Sequence, residues 1–303
     1  MSQKKHTLYF KRNNFSRNNF TKIIQYDILT KVSNYYFMER GIQLEEIKKE
    51  CPSITVDILV FAVNEKLDAL KLLLIRRKNH PYMHNWALPG GFVEMNESLD
   101  EAARRELQEE TGMQDIYMEQ LYTFGEVHRD PRTRVISVAY MALVQQQAVE
   151  VHAGDDAMDA EWFTVRQKED QVLLEGEQGD RLSYQISRIP MSIGGVSSVQ
   201  ELAHKGADAG IAFDHEQAIQ MGLYRLRNKA EYTNVLFGLM PEKFTLPELQ
   251  RLYETVLGKP LYKANFRRKI SAYVEATGAK KVQEGTKRSP ELYRFRQAEP
   301  IGS

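Results

Sequence analysis

Cys51 is the sole cysteine in 303 residues, which excludes an intramolecular disulfide and leads to the expectation of a reducing, cytoplasmic setting. Long hydrophobic runs are missing as well. No apolar stretch approaches the ~20 residues of a membrane span, and the N-terminal residues hold no continuous apolar segment of a secretory signal, so no membrane partner is expected. Net charge is absent, with 41 Lys and Arg against 41 Asp and Glu, so overall charge points to neither nucleic acid nor membrane and distribution must decide. Hydrophobic residues nevertheless make up 42% and aromatics 10% of the chain, enough to build ordinary cores. The length exceeds one average domain and predicts two, with an additional arm.

Residues 1–26 contain no acidic side chain but carry Lys4, Lys5, Lys11, Arg12, Arg17 and Lys22, with RNNF at both 12–15 and 17–20. An organelle transit peptide, a nucleic-acid arm and a frayed terminus all fit such a segment. Its Phe, Tyr and Asn content suits an amphipathic transit helix poorly, which favours the frayed terminus. Over 34–50, Tyr36, Met38, Ile42, Leu44 and Ile47, with Glu45 four residues ahead of Lys49, predict a short helix leading to Pro52.

Short β-branched apolar runs at 55–63 and 70–76 read as two strands joined by a turn, and 135–144 and 160–165 as two more. Between these pairs lies a helix, so an α/β layer with a mixed sheet is predicted. Trp86 is able to stack on a base, although a lone Trp is more often a core anchor. From 167 to 210 the chain is polar and glycine-bearing, with a weak strand signal at 182–186, and reads as irregular structure closing the first domain. Asp214, followed by Gln217, reads as the N-cap of a helix with an apolar stripe of Ile219, Leu223 and Leu226 that joins the domains.

The helix between the strand pairs belongs to the most informative stretch, LPGGFVEMNESLDEAARRELQEETGM at 88–113, which holds seven acidic residues. Ser98 and Glu101 fit a capping box, Leu99, Ala103 and Leu107 recur at helical spacing, and Gly112 sits where a helix stops, predicting a helix over 99–111. Glu106, Glu109 and Glu110 then share one face and repel by a few tenths of a kcal/mol per pair, a sign that a divalent cation reverses. A solvated acidic face is the bland alternative. Against it stands the spacing, with nine constrained positions at fixed offsets among Gly91, Glu97 and the run Arg105-Glu106-Leu107-Gln108-Glu109-Glu110-Thr111-Gly112-Met113, which resembles the Nudix box.

That resemblance implies an α/β/α sandwich and hydrolysis of a nucleoside diphosphate derivative with Mg²⁺ or Mn²⁺. It implies Glu106, Glu109 and Glu110, with Gly91, as the metal site, Glu109 also in catalysis, and Glu97 with Arg105 as the pair that orients the cluster. Relatives acting on ADP-ribose draw their general base from a later loop, here HAGDDAMDAEWF at 152–163, making Asp155 and Asp156 candidates; a polar turn explains them equally well. Arg129, Arg132 and Arg134 crowd ahead of a strand and suit forked contacts with a diphosphate or ribose. With Pro131, the segment looks like its counterpart in the ADP-ribose branch.

The last sixty residues change character. Thr245 and Glu248 form a second capping box before a stripe of Leu249, Leu252, Tyr253, Val256 and Leu257, closed by Gly258 and Pro260. A second helix is predicted over 262–276, with Phe266, Ile270, Tyr273 and Val274 on its apolar face and Asn265, Arg267, Arg268 and Lys269 on others. A basic hairpin bearing Lys287 and Arg288 is predicted after it. Residues 260–296 hold ten basic and three acidic residues, a local net charge of +7. A helix-turn-helix with a basic hairpin is the winged-helix arrangement, in which Asn265, Arg267, Arg268, Lys269, Lys287 and Arg288 would contact double-stranded DNA. A basic surface serving only solubility is the alternative.

Taken together, the box, the GDDA segment, the AFDHEQ helix and FTLPELQRLYETVLGKPLYKANFRRK resemble the Nudix-related transcriptional regulators over residues 53–296. The resemblance implies an N-terminal extension at 1–52, a Nudix domain at 53–212, a connecting helix at 213–230 and a winged helix-turn-helix domain at 231–303. It further implies ADP-ribose as ligand, a homodimer and control of NAD or sugar metabolism. Many members keep only a degraded box and sense without catalysis; here the box is complete. Two functions follow: a DNA-binding regulator responding to ADP-ribose with retained Mg²⁺-dependent pyrophosphohydrolase activity, or a plain Nudix hydrolase whose tail serves dimerisation.

Overall fold

The computed structural model describes residues 51–112, 116–149, 157–193, 195–204, 210–281 and 289–296. The chain divides into Met1–Cys51 and Pro52–Ser303, and all the elements below belong to the second unit. The basic arm and the helix expected over 34–50 lie outside the described residues, as do Asp155, Asp156, Lys287 and Arg288. In chain order the elements are β1 (Ser53–Val63), β2 (Leu70–Arg77), β3 (Trp86–Ala87), β4 (Gly90–Phe92), α1 (Leu99–Thr111), β5 (Tyr117–Phe124), β6 (Val135–Leu143), β7 (Ala157–Lys168), β8 (Gln171–Gly176), β9 (Arg181–Ile193), β10 (Val196–His204), α2 (His215–Tyr232), α3 (Leu246–Leu257), α4 (Lys263–Ile270), β11 (Val274–Lys280) and β12 (Glu291–Phe295).

The sheet runs β10-β9-β8-β7-β2-β1-β6-β5, with β3 beside β2 and β4 beside β1. β1 pairs parallel with β6 and antiparallel with β2, so the sheet is mixed, as expected. Asn64 ties the β1–β2 turn, its Oδ1 accepting from the backbone N–H groups of Asp68 and Ala69 at 3.0 Å. β1 sits at the centre and is buried on both faces, which explains its near-continuous apolar run. Alternation sends Val56, Ile58, Val60 and Ala62 to one side, against Ala102, Ala103 and Leu107 of α1. Leu59, Phe61 and Val63 go to the other, against Ala218, Ile219, Leu223 and Leu226 of α2. Helices on both faces make the α/β/α sandwich, and each such fully buried side chain contributes on the order of 1.5–3 kcal/mol.

The polar stretch expected to be irregular instead forms β8, β9 and β10, two successive antiparallel hairpins that extend the sheet. Their buried side chains are few, Val172, Leu174, Leu182, Tyr184, Ile186 and Ala203, and Ser, Gln and Arg occupy the intervening positions. Short-range hydrophobic pattern was therefore weak where backbone pairing was strong.

Beyond α2 the same core continues without interruption through Leu236, Leu239 and Phe244 into Leu249, Leu252 and Val256 of α3 and Phe266 and Ile270 of α4. Polar contacts reinforce the junction. Arg251 Nη1 donates to the Lys66 carbonyl at 3.1 Å and Thr255 Oγ1 to that of Leu67 at 2.8 Å, both in the β1–β2 turn. The helix expected over 262–276 ends at Ile270, and Val274 begins a strand. Tertiary pairing overrides helical spacing here: Val274 lies opposite Phe295, which stacks on Phe237 with ring centroids 3.7 Å apart. β11 and β12 form the wing, and the register shift between Ala276 and Lys280 is accommodated by Gly278 at φ +75°.

Candidate functional site

Helix α1 starts and stops where its sequence says. Ser98 accepts from the Glu101 N–H while Glu101 caps the Ser98 N–H, and Gly112 adopts the left-handed conformation at the C-terminus. Its apolar face fixes it on the sheet, and the opposite face turns Glu106 and Glu109 toward a cavity of about 440 Å³ that Gly91, Arg105 and Glu110 also line. The floor is built by glycines. Gly90 has φ +149°, and a Cβ there would lie 2.1 Å from the Val56 carbonyl oxygen. A Cβ on Gly91 would lie 2.2 Å from Glu106 Oε1, so a larger residue would push that carboxylate from its place.

Arg105 is the organiser of the acidic cluster. Its Nε and Nη2 grip Glu97 in a fork at 3.1 and 2.8 Å, and its Nη1 reaches Glu106 Oε1 at 2.8 Å. The hydrogen bonds from Arg105, helped by the Glu94 N–H, hold the Glu97 carboxyl below its ordinary pKa. Glu106 moves the other way: burial pushes its pKa up, only partly opposed by Arg105, and the charges of Glu109 and Glu97 add to the rise. Glu110 is buried and Glu109 is 55% exposed, 3.6 Å from Arg105. Among the described residues no three His, Cys, Asp or Glu side chains converge as a ready-made metal cage. The donor chemistry nevertheless fits a hard cation, because three carboxylates and the backbone at Gly91 line one cavity.

A second charged cluster lies behind this one. Arg129 is buried, its Nη2 2.7 Å from Asp214 Oδ1 and 3.3 Å from Asp57 Oδ2, with Nε donating to Asp214 Oδ2 at 3.0 Å. Ser137 also donates to Asp57. His215 joins from the first turn of α2: its Nδ1 accepts the Leu88 N–H at 2.9 Å, which leaves the proton on Nε2, 3.6 Å from Asp57 Oδ1. Burial lowers the His215 pKa against the pull of Asp57 and Asp214, so the ring is neutral at pH 7. Asp214 stands at the N-cap position but makes no side-chain cap; its carboxylate is committed to Arg129.

The three arginines of 129–134 are thus placed differently. Arg129 and Arg132 line the cavity, the first locked between two carboxylates and the second forked onto Asp130 through Nε and Nη2 at 3.0 and 2.7 Å. Arg134 donates to the Glu126 carbonyl at 2.9 Å and is not among the residues lining the cavity. Trp86 is a core side chain, edge-on to Phe163 at 4.8 Å. Sequence reading gave no role to Asp57, Asp130, Ser137 or His215. Asp57 and His215 stand 72 residues before and 86 after Arg129 (129 minus 57, 215 minus 129), so no local spacing linked them. An aspartate inside the apolar run of β1 was the available signal.

On α4, Asn265, Arg267 and Arg268 are exposed, and the guanidinium groups of the two arginines have no hydrogen-bond or ion-pair partner among the described residues. Lys269 is committed elsewhere. Its Nζ bonds the carbonyls of Ala230 and Glu231 at 3.4 and 2.6 Å, capping the C-terminus of α2, and lies 5.7 Å from the Tyr253 ring. On the wing, Lys281 pairs with Glu248 at 2.5 Å and Arg294 with Glu275 at 2.7 Å. No described helix is long and apolar enough to cross a membrane.

Comparison with known proteins matches residues 53–184 to the NUDIX domain and residues 236–295 to the NrtR DNA-binding winged helix domain. The chain is 36% identical over 248 residues to the ADPR responsive transcriptional repressor NtrR of Acinetobacter baylyi, covering 80% of this chain and 82% of that one. An ADP-ribose pyrophosphatase of Methanocaldococcus jannaschii is 41% identical over 112 residues, 37% of this chain and 62% of its own. Among solved structures, Shewanella oneidensis NrtR complexed with a 27mer DNA superposes with a TM-score of 0.56 at 32% identity, covering 80% and 93% of the two chains. A MutT/nudix family protein from Enterococcus faecalis superposes at 0.65 with 29% identity, covering 86% and 93%. Nudix hydrolases generally use divalent cations such as Mg²⁺. From a match spanning four fifths of both chains and the two domains in this order, the chain belongs to the Nudix-related transcriptional regulators, in which a domain of the Nudix hydrolase family precedes an NrtR-type winged helix.

Proposed function

We propose that this chain is a DNA-binding transcriptional regulator whose cavity takes ADP-ribose, or a related nucleoside diphosphate derivative, and that it retains hydrolysis of that ligand. The observation that carries the reading is the gathering of Gly91, Arg105, Glu106, Glu109 and Glu110 at one cavity, on a core continuous with a winged helix bearing exposed arginines. The names of its relatives point the same way, one an ADPR responsive repressor and another an ADP-ribose pyrophosphatase.

Hydrolysis breaks one phosphorus–oxygen bond of the diphosphate, with the oxygen of water joining the attacked phosphorus, and gives AMP and ribose 5-phosphate. Glu106, Glu109, Glu110 and the backbone at Gly91 would hold Mg²⁺ or Mn²⁺, which when bound neutralises diphosphate oxygens and makes the attacking water more acidic. Arg105 holds Glu106 in place while its fork on Glu97 fixes its own direction. The proton of the water passes to a carboxylate, for which Asp155, Asp156 and the exposed Glu109 are the candidates. Purified protein with Mg²⁺ is expected to release AMP and ribose 5-phosphate from ADP-ribose. Binding without turnover would make the cavity a sensor, and absence of both would remove the reading.

A further inference from the structure

Helix α2 is anchored at both ends by polar contacts to different parts of the molecule. At its first turn His215 accepts from the Leu88 N–H and the preceding Asp214 is locked to Arg129, both at the wall of the acidic helix's cavity. Its eighteen residues then make a rod about 27 Å long. The far end carries Glu231, a carboxylate in the last turn, where the helix dipole disfavours negative charge. Cations from the winged helix answer it. Lys259, in the turn ahead of α4, donates to Glu231 Oε1 at 2.8 Å, and Lys269, in the last turn of α4, donates to the Glu231 and Ala230 carbonyls at 2.6 and 3.4 Å. The Lys259 hydrogen bond, with the charge of Lys269 adding to it, holds the Glu231 carboxyl below its ordinary pKa.

One residue of α2 thus grips the chain on either side of the exposed arginines. Beside these bridges opens a cavity of about 440 Å³, lined by Glu231 from α2, Tyr253 from α3, and Asn265, Phe266 and Lys269 from α4. α4 is packed on α3 through Tyr253 and Phe266, edge-on at 5.3 Å, whereas toward the end of α2 the two lysines span unfilled space. α2 reciprocates, Arg227 Nε donating to the Val256 carbonyl in the last turn of α3 at 3.3 Å. The joint is therefore an exchange of cations between helix C-termini, with room beside it for the recognition helix to turn.

We propose that Glu231 and Lys269 are positioning residues of the recognition helix, a clamp that passes a shift of α2 on to α4, and that Lys269 acts on DNA through α2 and not by touching phosphate. The inference rests on the ligand-responsive, DNA-binding reading above. Coupling between two sites requires an element whose position both of them bias, and α2 has one such contact at each end.

The test is fluorescence anisotropy of the full chain on its tightest-binding genomic fragment over a series of salt concentrations, with and without ADP-ribose, in EDTA so that no turnover occurs. Lys269→Met and Glu231→Ala should each reduce the factor by which ADP-ribose weakens DNA binding at least about threefold. ADP-ribose affinity without DNA should stay within about twofold of wild type, the salt slope should not change, and Lys269→Arg, which keeps the donors, should restore the factor. A phosphate contact would instead cost Lys269→Met about one unit of salt slope at an unchanged factor, and a merely structural bond would weaken DNA equally with and without ADP-ribose; either result overturns the clamp. Glu231→Ala is the sharper variant. Removing an acid from a helix C-terminus favours the helix, and a carboxylate holds no phosphate, so neither unfolding nor a lost DNA contact imitates its effect. An undiminished factor in Glu231→Ala overturns the clamp while leaving the regulator reading intact. Wild type that binds no fragment selectively, or that ADP-ribose does not release, overturns both.

Discussion

At the cavity, Arg105, Arg129 and Arg132 are each tied to carboxylates, whereas on α4 Lys263, Arg267 and Arg268 stand exposed, their charged groups without hydrogen-bond or ion-pair partners among the described residues. The same residue types therefore do opposite work. Locked arginines hold a shape that must exist before the ligand arrives, and their charge is already spent. Exposed ones keep full charge for a polyanion, at the cost of screening by salt. Lys269 marks the boundary: it belongs to the basic face by sequence but serves as a cap on α2.

If the cavity charges are structural, removing one should damage the fold more than any function on α4. Arg129→Ala leaves the buried Asp57 and the half-buried Asp214 without their cation and is expected to destabilise the protein by about 3–5 kcal/mol, read from urea unfolding midpoints. An undiminished midpoint would mean the cluster is solvated in solution. In the acidic cluster, Glu109→Gln or Glu110→Gln should lower ADP-ribose turnover at least about a hundredfold with little change in DNA affinity, as loss of a metal ligand allows. Turnover unaffected by both would sever the box from catalysis.

On the exposed side, Arg268→Ala should cost about 1–3 kcal/mol of DNA binding and relax sequence preference, and Arg267→Ala should flatten the salt dependence by about one unit. Equal affinity for all variants would locate the DNA face elsewhere. The smallest effect concerns pH. His215 has a folded pKa below its ordinary 6.5, so the unfolded chain binds the extra proton first and stability rises with pH. Its contribution is complete above about pH 6.5 and is lost as pH falls from there through the lowered folded value. His215→Asn, which retains an acceptor for the Leu88 N–H, should show a shallower loss of melting temperature between pH 7 and 5 than wild type.

How much of this was legible follows from sequence distance. The acidic helix, both capping boxes and the left-handed glycines at 112 and 258 depend on residues within four positions of one another, and all formed as read. The central strands were legible because burial on both faces gave them continuous apolar runs. β8 and β10 were not, and β9 showed only its weak signal at 182–186, since their polar outer faces dilute the pattern and their order comes from pairing. The helix over 262–276 was overdrawn because Val274 suits a helical stripe as well as a strand, and only Phe295 decides between them. Cluster members such as Asp57 and Asp214 meet across the fold, where one-dimensional spacing carries no information.

The central claim is that cavity and α4 answer to each other, joined by α2, which starts at His215 beside the cavity and ends under Lys269. A fluorescence anisotropy titration of genomic DNA fragments at moderate salt, with and without ADP-ribose, tests it most directly. The account predicts sequence-selective binding that ADP-ribose weakens, through a changed spacing of two winged helices in a homodimer, and an equal weakening of ADP-ribose binding by that DNA, because linkage is reciprocal. Sequence-selective binding in neither nucleotide state would contradict it and leave a hydrolase whose winged helix serves dimerisation.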